Sequence, residues 1–158
     1  REALLLLAQD GLVTHSPNRG FSVIQVTERD LQEIQEVRLP LEATALVMAK
    51  PHITKADLEK LEELAAKIAQ DYIDDQLILC SQSDMMFHSL IWDRTGNARL
   101  TSTLRNLLAP LFAYGSLFSI RTPDLTPLIV EQHDLFTRFL GGRTKRSAED
   151  CVRFHLGI

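Results

Sequence analysis

Asp84 and His88 stand four residues apart in the stretch Ser83-Asp84-Met85-Met86-Phe87-His88. On an α-helix that spacing stacks both side chains on one face, one turn from each other. An acid and an imidazole so placed can share a metal ion, provided other ligands join them. Two more histidines are available: His133 in Val130-Glu131-Gln132-His133-Asp134-Leu135-Phe136, and His155 in Cys151-Val152-Arg153-Phe154-His155-Leu156. One carboxylate and three imidazoles form an oxygen and nitrogen set suited to a borderline divalent cation. Zinc is the first ion to name, and nickel or manganese also fits the ligand types.

Any one of these histidines is more often an ordinary hydrogen-bonded core residue than a ligand. His133 has Ile129, Val130, Phe136 and Leu140 three, four and seven positions away, and His155 has Val152 and Leu156 beside it. Both therefore face inward on periodicity. Three inward histidines with an inward aspartate are harder to explain as core alone, because a buried carboxylate needs a partner. Spacing by itself leaves the metal and the core readings about equally favoured.

The elements that must position these residues follow from composition and pattern. A chain of 158 residues with 45% hydrophobic content can bury one core, and a net charge of −4 gives no basic excess that would point to nucleic acid. The longest apolar run, Ala3 to Ala8, is too short to span a bilayer and follows Arg-Glu, unlike a signal peptide. Cys80 and Cys151 form no CxxC pair and read as free thiols, which places the protein in the reducing cytoplasm.

The chain opens within a helix, Arg1 to Gln9, stopped at Asp10-Gly11, as a fragment of a longer protein would. Leu12–His15 and Phe21–Val26 read as strands around the turn Ser16-Pro17-Asn18-Arg19-Gly20, a β-hairpin. Everything after residue 26 reads as helix. Thr27 caps a helix to about Lys50 with the stripe Leu31, Ile34, Val37, Leu41, Ala45 and Met48, and Pro40 should kink or break it. Thr54 caps the next, to about Gln70, and Asp71–Asp75 reads as a polar junction. Helices over about 75–93 and 98–121 follow, the second bent at Pro110, with Asn97 as its cap. A helix started by Thr126-Pro127 carries His133 and stops at Gly141-Gly142, and a last one from about Thr144 carries His155. The fold class is mainly α, an antiparallel bundle of six or seven helices behind a helix and a hairpin.

Several stretches carry a family resemblance. Arg1-Glu2-Ala3-Leu4, Gly11-Leu12-Val13 and Asn18-Arg19-Gly20-Phe21-Ser22-Val23 resemble the last helix, turn and wing of a GntR-family winged helix-turn-helix. Glu36-Val37-Arg38-Leu39-Pro40-Leu41-Glu42 is similar to the opening helix of the FCD effector domain in the FadR-like subfamily. Asp84-Met85-Met86-Phe87-His88 followed by Gly96-Asn97 matches the central FCD motif, and Glu131-Gln132-His133 and His155-Leu156 fall where the family places its remaining metal ligands. The resemblance covers the whole chain through the order and spacing of motifs that are individually weak. It implies residues 1–26 as the end of a DNA-binding domain and 27–158 as an all-helical effector- and metal-binding domain. It further implies a transcriptional regulator that binds operator DNA as a homodimer and responds to a small carboxylate metabolite bound beside the metal. The first helices of the winged domain are missing here, so the chain as given should bind DNA poorly. Gln132 stands where the family usually has Glu, at a position that is not a proposed ligand.

Three neutral imidazoles and one carboxylate around a divalent ion leave a net charge of about +1 and, on an octahedral ion, room for water or an effector. By the resemblance, Arg38 grips the far end of a carboxylate, as a bidentate guanidinium can. From the sequence alone, an ion pair with Glu42 four residues on is equally favoured. Arg1 and Arg19 are the basic residues of the first 28 and could reach phosphate or base edges. Cys80 lies four before Asp84 and Cys151 four before His155, so either thiol could line the pocket and make it oxidation-sensitive, or simply fill core. Two competing readings stay open: a hydrolase using metal-activated water, and a purely structural metal. Glu131, Asp134 and Asp93 are poorly aimed to serve as the base that a hydrolase needs.

Overall fold

The computed structural model describes residues 2–9, 12–118 and 125–158. Helix α1 (Glu2–Gln9) leads into strands β1 (Val13–Ser16) and β2 (Gly20–Val23), paired antiparallel with Val13 opposite Val23 and Ser16 opposite Gly20. The strands are shorter than the sequence pattern indicates, and Ile24–Val26 runs on as a connector. The turn reverses through Asn18 at φ 66° and Gly20 at φ 84°, the left-handed region that asparagine and glycine tolerate best. Thr14 and Ser22 bond across the ladder through their hydroxyls at 2.8 Å, and the His15 and Phe21 rings lie 4.6 Å apart, tilted by 40°.

The six remaining helices are α2 (Glu28–Ala49), α3 (Lys55–Ile73), α4 (Leu77–Asp93), α5 (Ala98–Phe118), α6 (Thr126–Leu140) and α7 (Ala148–Leu156), with a 3₁₀ turn over Lys50–His52. Short connections make consecutive neighbours antiparallel. Thr27, Thr54 and Ser147 each cap a helix with a full capping box, their hydroxyls accepting from the backbone of Asp30, Asp57 and Asp150. At α5, Asn97 Oδ1 accepts from the amides of Arg99 and Leu100, both at 3.1 Å. The main core joins α2, α3, α4, α6 and α7 around Leu46, Leu61, Ile68, Phe87, Phe136 and Val152. A second cluster, Ala45, Trp92, Leu100, Leu104 and Leu108, seats α5 against α2 and α4.

Four local expectations need correction. Pro40 does not break α2: the helix continues to Ala49, and the Thr44 hydroxyl donates to the Pro40 carbonyl at 2.7 Å. The buried stripe of α2 is Arg38, Glu42, Ala45, Leu46 and Ala49, while Val37 is 49% exposed. The core face is therefore rotated from the expected one, and its first two members are charged. Asp71 is no junction: it lies buried inside α3, where it accepts from Lys67 Nζ at 2.9 Å and from Ser83 Oγ at 3.2 Å. That neutralisation lets the helix run on, and it ties α3 to α4 next to Asp84. Helix α6 begins at Thr126 with Leu125 as its cap residue, so Pro127 lies within the first turn, and α7 begins only at Ala148. The expected end of the fourth helix, residues 119–121, falls outside the described residues, as do Arg1 and the Asp10-Gly11 stop.

Asp57 shows how a cap and a tertiary pair combine. It bonds the Thr54 amide at 2.9 Å and Arg94 Nη2 at 2.7 Å. The Arg94 bond, aided by Thr54, outweighs burial and holds its carboxyl down at about 2. A carboxylate depressed below its unfolded value of about 3.9 stabilises the fold fully above that pH and progressively less as pH falls towards 2. Asp57→Ala should cost about 1–2 kcal/mol in urea denaturation at pH 7. The gap from the parent should narrow between about pH 5 and 3, and a gap independent of pH would show that Asp57 contributes through something other than its charge.

Candidate metal and effector site

The charged end of the α2 stripe meets one face of α4, α6 and α7. Helix α2 supplies Arg38 and Glu42, α4 supplies Asp84 and His88, α6 supplies His133 and α7 supplies His155. His88 is fully buried, and Glu42 and His133 are nearly so, at 1% and 3% exposure. The three imidazoles offer ligand atoms within 4.8 Å of one another. Their planes are fixed by aromatic neighbours: Phe87 lies edge-on to His133 at 4.9 Å, and Phe136 lies against His155 at 4.9 Å.

The polar contacts show what the cluster lacks. His133 Nδ1 lies 2.7 Å from the Ile129 carbonyl, an acceptor, so Nδ1 carries a hydrogen and Nε2 is the atom turned to Asp84 Oδ1 at 3.0 Å. His88 Nε2 faces the same oxygen at 3.4 Å. On its other side, His88 Nδ1 lies 2.9 Å from Glu42 Oε1. These two atoms are close but not aligned as a hydrogen bond, and among the described residues Glu42 Oε1, both His88 nitrogens and His155 Nδ1 are buried without a hydrogen-bond partner. Ring lone pairs and carboxylate oxygens thus face one another, an arrangement that only protons or a cation can satisfy. The donor set fits a divalent metal, with Asp84, His88, His133 and His155 as ligands and Glu42 orienting His88 from behind.

Electrostatics follow the same geometry. Burial works against charge on His88, but the carboxylates of Glu42 and Asp84 outweigh it and raise the ring to about 9. Burial likewise opposes ionised Glu42, yet Arg38 and His88 hold it far below the carboxylate range. Asp84, despite burial, is held well down by His133 and His88. His155 is pushed well below its ordinary value, first by burial and then by His88, Arg38 and His133. It is therefore neutral, whereas His88 would have to give up a proton to bind a metal.

Arg38 sits between the cluster and a cavity. Its Nε bonds Glu42 Oε2 at 2.9 Å, and its Nη2 lies 3.2 Å from His155 Nε2. The Glu42 pairing open from sequence is present, and it is buried. The cavity, about 280 Å³, is lined by Arg38, Tyr72, Leu77, Cys80, Ser81, Asp84, Leu111 and Phe112. Cys80 therefore borders it, while burial together with Asp84 and Asp71 raises its thiol to about 11, so the reactive thiolate is scarce. Cys151 is core, fully buried beside Val152. Gln132 donates from Nε2 to the Phe154 carbonyl at 3.2 Å, a bond that a glutamate could not make, and it secures α7 next to His155.

The carboxylates weighed as hydrolytic bases are directed elsewhere. Glu131 is exposed, Asp134 lies 3.6 Å from Arg138, and Asp93 pairs with Arg105 at 2.9 Å. Arg19 is exposed in the hairpin turn, on none of the helices that carry the histidines. Glu42 is the residue that the sequence reading undervalued. Its spacing, an acid one turn after Arg38 and one turn before Leu46, is equally that of a solvated surface pair, and only the fold shows that this stripe is buried.

The model of the FCD domain matches residues 33–157, from the second turn of α2 to the end of α7. An uncharacterised HTH-type transcriptional regulator of Bacillus subtilis strain 168, YdhC, is 32% identical over 98% of this chain and 69% of its own length. The HTH-type transcriptional regulator McbR of Escherichia coli K12 is 26% identical over 96% of this chain and 69% of its own. The solved E. coli McbR/YncC structure superposes with a TM-score of 0.86 at 25% identity, covering 99% of this chain and 79% of that one. A GntR regulator from Rhodococcus sp. RHA1 shares the fold, with a TM-score of 0.76 over 99% of this chain and 74% of its own. The chain belongs to the GntR family of transcriptional regulators, in the branch that carries an FCD domain. Among the described residues no helix is long and apolar enough to cross a membrane.

The Arg38–Glu42–His88 network is also structural. Glu42→Ala would leave the Arg38 guanidinium buried without its carboxylate. Breaking a buried pair from one side costs about 3–5 kcal/mol. A loss of that size in urea denaturation is expected, and a loss below about 1 kcal/mol would mean that water already solvates the pair.

Proposed function

We propose that the helical domain, residues 27–158, holds a divalent metal on Asp84, His88, His133 and His155 and binds a small carboxylate-type effector in the adjoining cavity. Zinc is the first choice for this ligand set, with nickel or manganese as alternatives. The observation that carries the reading is the convergence of imidazoles and carboxylates in which Glu42 Oε1, both His88 nitrogens and His155 Nδ1 are buried without a hydrogen-bond partner among the described residues. When bound, the ion supplies the charge that attracts an anionic effector oxygen. Arg38 then takes the other end of the effector, as guanidinium forks do for carboxylates. A volume near 280 Å³ is at the lower edge of ligand pockets, so the effector is a small metabolite.

Residues 1–26 belong to the DNA-binding head, which engages operator DNA as part of a homodimer. Arg19 at the hairpin turn is exposed and available to phosphate or minor groove. Arg1, given the same role, lies outside the described residues. Leu111 links site and head: it lines the effector cavity and also a second one, about 520 Å³, walled by Ser22–Val26, Asp30, Ile34 and Pro110. A shift of α5 on effector binding is thus felt under the connector that carries the hairpin.

Metal content decides the central part. Protein purified without chelator, or reloaded with zinc, nickel or manganese in turn, should hold about one equivalent, and His133→Ala much less. Carboxylates should then raise the melting temperature of the loaded protein more than that of the metal-free one. Folded parent protein that retains none of the three metals would return the histidines to the core. For the head, Arg19→Ala in a chain with its complete winged domain should weaken operator binding and lower the salt slope by about one. An unchanged slope would remove Arg19 from the phosphate contacts.

A further inference from the structure

We propose that Arg38 is a metal-gated arm: its hydrogen bond to His155 and metal coordination by His155 exclude each other, so loading the metal hands the Arg38 guanidinium to the effector cavity. The inference rests on the metal site proposed above.

A guanidinium has donors only. The 3.2 Å contact between Arg38 Nη2 and His155 Nε2 therefore requires the imidazole lone pair on Nε2. A neutral imidazole has one such lone pair, and its other nitrogen carries hydrogen. Here that nitrogen is Nδ1, buried and without a partner among the described residues. In this arrangement neither nitrogen can bind a cation. Coordination through Nε2 requires the lone pair that Arg38 occupies. Coordination through Nδ1 moves the hydrogen to Nε2, where it meets the Arg38 N–H. The conclusion is the same whichever nitrogen the metal takes.

The released arm has one place to go. Its Nε stays tied to Glu42 Oε2 at 2.9 Å, and Glu42, on the same helix, is itself fully buried. The guanidinium can thus pivot about Nε without leaving the site, and Arg38 already borders the cavity that Asp84 shares. Metal and anionic effector should consequently strengthen each other's binding, and the coupling is reciprocal. Without metal the arm is spent on His155, and an anion must first break that bond.

Two measurements test this. In metal-free parent protein, long-range ¹H–¹⁵N correlation spectra should show His155 with hydrogen on Nδ1 and an unprotonated, hydrogen-bonded Nε2. Zinc should shift the Arg38 side-chain resonances. In chelator competition, Arg38→Met should bind zinc about tenfold more tightly than the parent, equivalent to about 1.4 kcal/mol. A His155 with hydrogen on Nε2 in the metal-free parent, or an Arg38→Met affinity equal to or below the parent's, overturns the gate while leaving the metal site standing. A parent that takes up none of zinc, nickel and manganese overturns both. The spectra need only the parent, so the gate stays open to refutation if Arg38→Met does not fold.

Discussion

Glu42 is the hinge on which this structure depends. A carboxylate fully enclosed by protein is costly unless charge meets it on more than one side. Here one oxygen accepts from Arg38 and the other faces His88 at 2.9 Å. That single residue fixes the guanidinium that borders the cavity and one imidazole of the histidine cluster, His88. It does so from within a helix whose buried positions beyond Arg38 and Glu42 are plain apolar core. The stripe runs from charge at Arg38 and Glu42 to alanine and leucine at Ala45, Leu46 and Ala49. Along one helix, the site therefore grades directly into the hydrophobic interior. The packing that stabilises the fold also excludes water from the ions.

The four helices that meet at the site come from both ends of the bundle. Helix α2 follows the hairpin, whereas α6 and α7 close the chain. Two polar contacts join α7 to the rest at or beside its histidine, Gln132 to the Phe154 carbonyl and Arg38 to His155. An ion held by Asp84, His88, His133 and His155 would cross-link α4, α6 and α7, segments up to 71 residues apart in the chain. Such a cross-link acts most strongly on α7, the nine-residue helix that closes the chain.

Much of the site was legible in the sequence, because helical spacing constrains it. Asp84 and His88 had to share a face, and the inward periodicity of His133 and His155 pointed them to the same interior. The resemblance supplied the order in which these pieces assemble. The role of Glu42 was not legible. Its spacing from Arg38 is equally that of a solvated surface pair, and the apolar residues Val37, Leu41 and Met48 suggested a different buried face. Tertiary contact with α4 and α7 selects the charged face instead. Asp71 was misread for a similar reason: acid-rich segments usually end helices, and its neutralisation by Lys67 and Ser83 is a three-dimensional fact. The caps at Thr27, Thr54 and Asn97 were readable, since each depends on residues within one turn.

Pro40 gives α2 a mechanical asymmetry at the point where site and head meet. Proline cannot donate to the Glu36 carbonyl, so the helix lacks one axial bond immediately before Arg38 and Glu42. On the N-terminal side of that gap lie Asp30 and Ile34, which wall the cavity beneath the Ser22–Val26 connector. On the other side lies the stripe locked into the core. A force applied to Arg38 therefore acts at the junction between a part of α2 that packs on the connector and a part that cannot move without disturbing Leu46 and Ala49. If an effector pulls on Arg38 as proposed, the half of α2 on the connector side of Pro40, which lacks the deep core contacts of Leu46 and Ala49, is the half freer to respond.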